Sequence, residues 1–189
     1  DLKSRPMKRW MRTRLHPEWY HGHSARPPYF EGWYYKLVDP TEQHRFAIIP
    51  GIILGRRNHA FVQLLDGANG TATYFTYPVS SFQSARNTFD VRIGPNRFSS
   101  DRIELELVSE EHTASGELHL TGLTPWPVSL RSPGVMGWYS WIPRMQCYHG
   151  VLSLDHEIHG LLNLNQTAID FTCGRGYTEK DWGRSFPEA

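Results

Sequence analysis

The terminal segment GRGYTEKDWGRSF, residues 174–186, contains the side chains best suited to acid–base chemistry. Two carboxylates, Glu179 and Asp181, stand among glycines and next to a tryptophan. A carboxylic acid held out of water beside an indole ring has a raised pKa, so it can donate a proton near neutral pH. Lys180 or Arg184 would lower that pKa if it pointed the same way as Glu179. The same residue types could also form surface ion pairs at a hairpin.

Aromatic residues make up 13% of the chain and concentrate in FEGWYYK (30–36) and GVMGWYSW (134–141). Rings of this kind line cavities for apolar ligands and stabilise a passing cation by about 0.5–2 kcal/mol each. A glycine stands beside the tryptophan in both clusters, which lets the backbone come close to a ligand. The alternative is that these rings are ordinary strand and core residues.

The histidines and cysteines give weaker signals. His21-x-His23 and His156-x-x-His159 have spacings that occur in metal sites, but no carboxylate follows at a matching distance, so we predict no metal site. The two cysteines are too few for a disulfide framework and are expected to be unpaired. Nucleophile-elbow, P-loop and dinucleotide-binding motifs are missing from the sequence.

The elements that must position these residues are short strands separated by turns. Ile103, Leu105 and Leu107 alternate with Glu104 and Glu106, as expected of strands with one buried and one solvated face. The pattern predicts ten strands: 30–38, 45–53, 59–66, 71–79, 88–93, 102–108, 116–122, 148–154, 157–164 and 167–172. Such a series favours an all-β antiparallel barrel, closed or nearly closed, although a sandwich has the same periodicity.

One segment interrupts this rhythm. Residues 123–147 contain four prolines and three tryptophans, which excludes a central strand and predicts a long aromatic loop. Loops of this length in compact domains are often lids or binding segments.

Length and charge set further limits. A chain of 189 residues is long enough for one domain with a full core. Residues 1–15 form a basic leader with six cationic side chains against one acid, whereas the rest is mildly acidic, which disfavours a nucleic-acid-binding face. The leader could be a helix on an anionic membrane surface or a solvated arm. No apolar run reaches membrane-spanning length and no signal peptide is recognisable, so we expect a cytoplasmic or peripheral membrane location.

Three blocks carry a resemblance to a known family: FEGWYYK (30–36), PGVMGWYSWIPRMQCYHGVLSLDH (133–156) and GRGYTEKDWGRSFP (174–187). In these blocks the chain resembles the tocopherol cyclase family. It is similar, more weakly, to the carotenoid hydratases and related lipocalin-like proteins, whose acidic residue and asparagine would correspond to Glu179 and Asp181. The resemblance implies a lipocalin-like barrel enzyme that protonates a prenyl alkene and lets a hydroquinone hydroxyl capture the cation. A chromanol ring would form without a redox change or a cofactor.

The resemblance also suggests roles for individual residues. Glu179 is the first choice as general acid and Asp181 the second, and we expect Glu179 to line one apolar cavity with Trp33 and Trp138. The other predicted substrate contacts comprise cation-stabilising rings and groups that could orient or deprotonate the phenol: Glu31, Trp33, Tyr34, Tyr35, Trp138, Tyr139, His149 and Trp182. Alternatives are a non-catalytic isoprenoid or lipid carrier and an alkene hydratase.

The resemblance covers residues 16–189, and members of that family are usually longer. We therefore expect a barrel domain that is the N-terminal half of a two-barrel protein. The expected partners are a hydrophobic small-molecule substrate, the C-terminal half of the same protein and, through the leader, a membrane surface.

Overall fold

The computed structural model describes residue 11 and residues 13–185. Most of the predicted basic leader, 1–15, therefore lies outside the described residues; Met11 and residues 13–15 are helical. The end of the last motif, 186–187, lies outside them as well. In the part of the chain that is described, no helix has both the length and the hydropathy needed to cross a lipid bilayer.

The described residues form twelve strands and three short 3-10 turns. The strands are β1 (Tyr29–Val38), β2 (Arg45–Leu54), β3 (His59–Asp66), β4 (Thr71–Tyr77), β5 (Phe82–Ser84), β6 (Asp90–Ile93), β7 (Asn96–Ser99), β8 (Arg102–Val108), β9 (Thr113–Thr121), β10 (Cys147–Leu164), β11 (Thr167–Asp170) and β12 (Gly174–Gly183). The turns are Gly22–Ser24, Val79–Ser81 and Gly137–Trp141.

The strands make one antiparallel sheet in the order β4-β3-β2-β1-β12-β10-β9-β8-β7-β6-β5, and β11 pairs with β10. Its two outermost strands, β4 and β5, are consecutive in the chain and joined by residues 78–81 alone, so the sheet must roll until its edges approach. Across this seam the Asn96 Nδ2 group donates to the Tyr77 hydroxyl at 3.1 Å. An antiparallel sheet rolled on itself confirms the predicted all-β, lipocalin-like class.

Apolar residues on the inner face of the roll form the core. In β8, for example, Ile103, Leu105 and Leu107 are buried, as their alternation predicts. The predicted strands 148–154 and 157–164 are one strand, β10, whose pairing with β12 shifts register after Val151 and again after Ser153. Three further strands escaped prediction. β5 has only three residues, and the sequence of β7, NRFS, is mostly polar. The third is β12, whose glycines and charged residues do not alternate with apolar ones.

The predicted loop, 123–147, contains no strand up to residue 146, apart from an isolated bridge between Val128 and Pro133, and its last residue, Cys147, begins β10. The start of this aromatic loop lies along β10. The N–H of Leu154 donates to the Thr124 carbonyl at 2.8 Å, and the N–H of Thr124 donates to the Asp155 carbonyl at 3.0 Å. The loop thus covers β10 where its pairing with β12 is irregular.

Candidate functional site

Strand β12 divides the terminal motif between two faces of the sheet, because successive side chains of a strand point in opposite directions. The buried set faces the core, and the half-buried set faces the opposite side, which we call the outer face. The core set is Gly176, Thr178, Lys180 and Trp182, and the outer set is Tyr177, Glu179 and Asp181. On the flanking strands Tyr34 is paired with Glu179 and His149 with Asp181, so both neighbours join the outer set.

The outer face carries a cluster of four groups suited to proton transfer, which we call the acid–base cluster: His149, Tyr177, Glu179 and Asp181. The His149 ring lies between the two carboxylates, with Nδ1 2.9 Å from Asp181 Oδ1 and Nε2 3.6 Å from Glu179 Oε2. The Tyr177 hydroxyl donates to Glu179 Oε2 at 2.5 Å. These contacts fix the imidazole and direct two potential proton donors at Glu179.

The electrostatics of the cluster keep those donors protonated. The hydrogen bond to Asp181 raises the pKa of His149; burial opposes this effect, and the charges of Asp181 and Glu179 add to it. Burial and the hydrogen bond to Glu179 raise the pKa of the Tyr177 phenol. Burial, followed by the charge of Glu179, also raises the pKa of the Tyr34 phenol. The imidazole therefore stays charged to a higher pH than an isolated histidine, and both phenols stay neutral.

An apolar pocket of about 220 Å³, the outer pocket, adjoins the cluster. Its lining residues come from β1, β2, β3 and β12: Phe30, Gly32, Tyr34, Ile49, Ile53, Phe61, Gln63, Glu179 and Asp181. Gly32 and Gly51 face each other across β1 and β2. A Cβ on Gly51 would collide with the Phe61 ring, so this glycine lets the ring lie against the sheet and form the pocket wall.

Four of the predicted substrate contacts lie on the core face instead. Glu31, Trp33 and Tyr35 have exposed fractions of 0%, and Trp182 is also buried. The expectation that Glu179 shares a cavity with Trp33 is wrong, because Trp33 points into the core and Glu179 to the outer face. Neighbours in a strand sequence are thus separated by the sheet itself.

The cation that Trp33 and Trp182 stabilise is Lys180. Its Nζ lies 5.1 Å and 4.7 Å from the two ring centroids and 2.5 Å from Glu31 Oε1, and both ion-pair partners are fully buried. Burial lowers the pKa of Lys180, although Glu31 opposes the shift. Since Lys180 points into the core, it is not a neighbour of the Glu179 carboxylate.

This buried ion pair also holds the segment that precedes β1. Lys180 Nζ donates to the carbonyls of Pro17, at 2.9 Å, and Trp19. The Glu31 carboxylate accepts hydrogen bonds from the backbone N–H groups of His21 and Gly22 and from the Tyr29 hydroxyl. The pair therefore anchors residues 17–22 to the core.

Trp138 and Tyr139 lie on the 3-10 turn of the aromatic loop, outside the outer pocket. Their rings stack at 4.1 Å and are 60% and 50% exposed, respectively. The turn lies near the acid–base cluster, since the His149 N–H donates to Met136 Sδ at 3.0 Å. The expectation that Trp138 lines one cavity with Glu179 is therefore not met.

The predicted site residues did not include Tyr177, Phe30 or Phe61, although Phe30 belongs to the aromatic cluster FEGWYYK. A signal for Tyr177 exists, because Tyr-x-Glu on a strand places both side chains on one face. Within the described residues, His149, Glu179 and Asp181 also bring one nitrogen and two carboxylate oxygens within 4.8 Å of one another, a set that could hold a divalent cation. The predicted absence of a metal stays a prediction.

Both cysteines are free, as expected. Cys147 borders the acid–base cluster, with its Sγ 3.8 Å from Asp181 Oδ1. Burial raises the pKa of its thiol to about 12, so this sulfur is not an activated nucleophile.

No family model and no curated protein matches the chain. Solved structures do match it. A protein designated AttH from Nitrosomonas europaea has a TM-score of 0.51 and 18% identity, over 89% of this chain and 58% of that one. CghA with Sch210972 has a TM-score of 0.52 and 13% identity, over 84% of this chain and 47% of that one. A kievitone hydratase from Nectria haematococca gives a TM-score of 0.46, with 11% identity over 82% and 48%.

The first two matches show a shared fold. The chain spans about half the length of the solved structures that it matches. The resemblance to tocopherol cyclases, which none of these matches tests, stays a prediction.

Proposed function

We propose that this chain carries the proton-transfer site of a tocopherol cyclase-like enzyme, which closes a chromanol ring on a prenylated hydroquinone. The observation that supports this proposal is the position of Glu179. Its carboxylate lies in the wall of an apolar pocket, within reach of a neutral phenol and of a histidine whose pKa is raised. Protonation of an alkene needs an acid beside an apolar surface, and the two donors next to Glu179 can supply its carboxylate with a proton.

In this mechanism Glu179, in its acid form, transfers its proton to the prenyl alkene. The resulting tertiary cation is shielded by the rings of Phe30, Tyr34 and Phe61, which line the same pocket. The hydroquinone oxygen bonds to the cationic carbon, and the phenol proton passes to the Glu179 carboxylate. The acid is thereby regenerated, and the product has the same composition as the substrate.

His149 and Asp181 act on Glu179 as positioning residues. Asp181 holds His149 through Nδ1, which turns Nε2 toward the Glu179 carboxylate. A protonated Nε2 can return a proton to Glu179 when the carboxylate has lost one to solvent. Asp181, predicted as the alternative acid, has the role of orienting the imidazole in this geometry.

The size of the outer pocket limits what it can hold. Its volume of about 220 Å³ is below the roughly 300–1,000 Å³ of most ligand pockets. We infer that it takes the reacting ring and alkene, and that the apolar tail extends beyond it. The predicted C-terminal half would cover that tail.

The test is turnover of a prenylated hydroquinone in D₂O by the intact protein. Wild type should yield a product that carries one carbon-bound deuterium in place of hydrogen, because Glu179 exchanges with solvent before it donates. Glu179→Gln should lower the rate by about 10²–10⁴-fold while the substrate still binds. The matched control is Glu157→Gln, which removes another carboxylate paired with a histidine, His159, at 3.0 Å.

The possible results separate the alternatives. Undiminished turnover by Glu179→Gln would refute the assignment of the acid. A product heavier by one water would identify a hydratase, and binding without conversion by wild type would identify a carrier.

A further inference from the structure

Gln63 is a polar residue in the wall of the outer pocket, at the opposite end from Glu179. Glu179 is on β12 and Gln63 on β3, with β1 and β2 between them. Three strand spacings of about 4.8 Å separate the two backbones, roughly 14 Å in all. In the intervening strands Tyr34 is paired with Glu179 and Ile49 with Gln63, and both line the pocket. The pocket therefore has a carboxylate at one end and a carboxamide at the other.

The Gln63 carboxamide makes no hydrogen bond to any residue that the structure describes, although its oxygen and nitrogen are accessible from the pocket. Tyr74, its pairing partner on β4, has its hydroxyl 2.8 Å from His59 Nε2 instead. Gln63 is half-buried, so its amide loses part of its hydration without gaining a protein partner. Methionine would line the same wall without that cost. The carboxamide therefore indicates a ligand that carries a polar group at this end of the pocket.

We propose that Gln63 is a specificity-determining residue of the outer pocket, whose carboxamide oxygen accepts a hydrogen bond from a hydroxyl group on a bound aromatic ring. A carboxamide suits a neutral hydroxyl, because it offers an acceptor without a charge. The Phe61 ring in the pocket wall provides an apolar surface for the ligand ring. In a prenylated hydroquinone, the hydroxyl that stays free after ring closure would lie at Gln63, and the alkene at Glu179. This identity of the ligand rests on the proposed function, whereas recognition of the hydroxyl can be measured without turnover.

The test compares two ring probes that have no prenyl chain and cannot cyclise: trimethylhydroquinone and the corresponding trimethylphenol, which lacks one hydroxyl. Their affinities for the intact protein are measured by NMR titration of the probe resonances in the absence of oxygen. Wild type should bind trimethylhydroquinone about fivefold more tightly, as expected for one additional hydrogen bond between neutral groups. Gln63→Met keeps the length of the side chain without a carboxamide and should bind the two probes equally.

Two further variants assign the preference to the Gln63 oxygen. Gln63→Glu retains an acceptor oxygen and should retain the preference for trimethylhydroquinone. Gln83→Met is the matched control, because Gln83 is an exposed glutamine on β5 that does not line the pocket, and it should behave as wild type. Equal affinities in wild type, a preference that survives in Gln63→Met, or its loss in Gln63→Glu or Gln83→Met would overturn the inference. None of these results depends on turnover, so the inference can fail while cyclisation is observed, and the reverse.

Discussion

Removal of the Lys180 charge tests how far the buried ion pair stabilises the protein. Lys180→Met keeps an apolar side chain of similar length but leaves the Glu31 carboxylate, 0% exposed, without a counter-charge. It also removes the donor to the Pro17 and Trp19 carbonyls. Loss of one partner of a buried pair costs about 3–5 kcal/mol. For a chain of this size each kcal/mol lowers Tm by about 2–4 °C, so the decrease should be about 6–20 °C.

Thermal and urea denaturation followed by circular dichroism measure this cost. The exposed Lys36 on the neighbouring strand provides the control, and Lys36→Met should change the free energy of unfolding by less than about 0.5 kcal/mol. The double variant Lys180→Met/Glu31→Gln should cost less than the sum of the two single variants by about 0.5–3 kcal/mol, because it removes both charges. A cost below about 1 kcal/mol for Lys180→Met, or strict additivity, would refute the reasoning.

Two further predictions concern β12 and its neighbour β10. A Cβ at Gly176 would collide with the buried ring of His156, so Gly176→Ala should lower the free energy of unfolding by about 1–3 kcal/mol. Gly55 has open space around it, so Gly55→Ala should be nearly neutral, and equal effects of the two variants in denaturant titrations would contradict the prediction. The pKa of His149 is raised above 6.5 in the fold, so its charge stabilises the protein below pH 6.5, and this contribution disappears as pH rises through the folded-state pKa. The Tm difference between wild type and His149→Gln should therefore be largest below pH 6.5. A Tm difference independent of pH would contradict this stabilising role of the His149 charge.

The sheet could be predicted from the sequence because the alternation of apolar and polar residues is visible within each single strand. In β8, leucines and isoleucine alternate with glutamates, so one strand suffices to identify its buried face. The loop at 123–147 was equally predictable, since proline removes the donors that a central strand needs.

The division of the site between two faces was harder to predict from sequence. The core face of β12 consists of glycine, threonine, lysine and tryptophan, which does not read as an apolar stripe. The lysine is buried because Glu31, remote in sequence, lies beside it in the fold. The cluster FEGWYYK likewise looks like one aromatic set, whereas Trp33 and Tyr35 enter the core and Tyr34 lines the outer pocket.

The register shifts of β10 were predictable only in part. They are a property of the pairing between two strands, so the periodicity of either strand alone does not reveal them. The sequence suggested two strands there, separated at residues 155–156, where the structure has one irregular strand.

The two-sided composition of β12 has a consequence for sequence change along this strand. A deletion or insertion of one residue between Gly176 and Glu179 would exchange the faces of every side chain beyond it, so Lys180 would leave Glu31 and Glu179 would enter the core. Substitutions, by contrast, act on one face at a time. The acid–base cluster and the anchored core can therefore diverge independently through point mutation. Both depend on the same alternation of faces along β12, which neither can change alone.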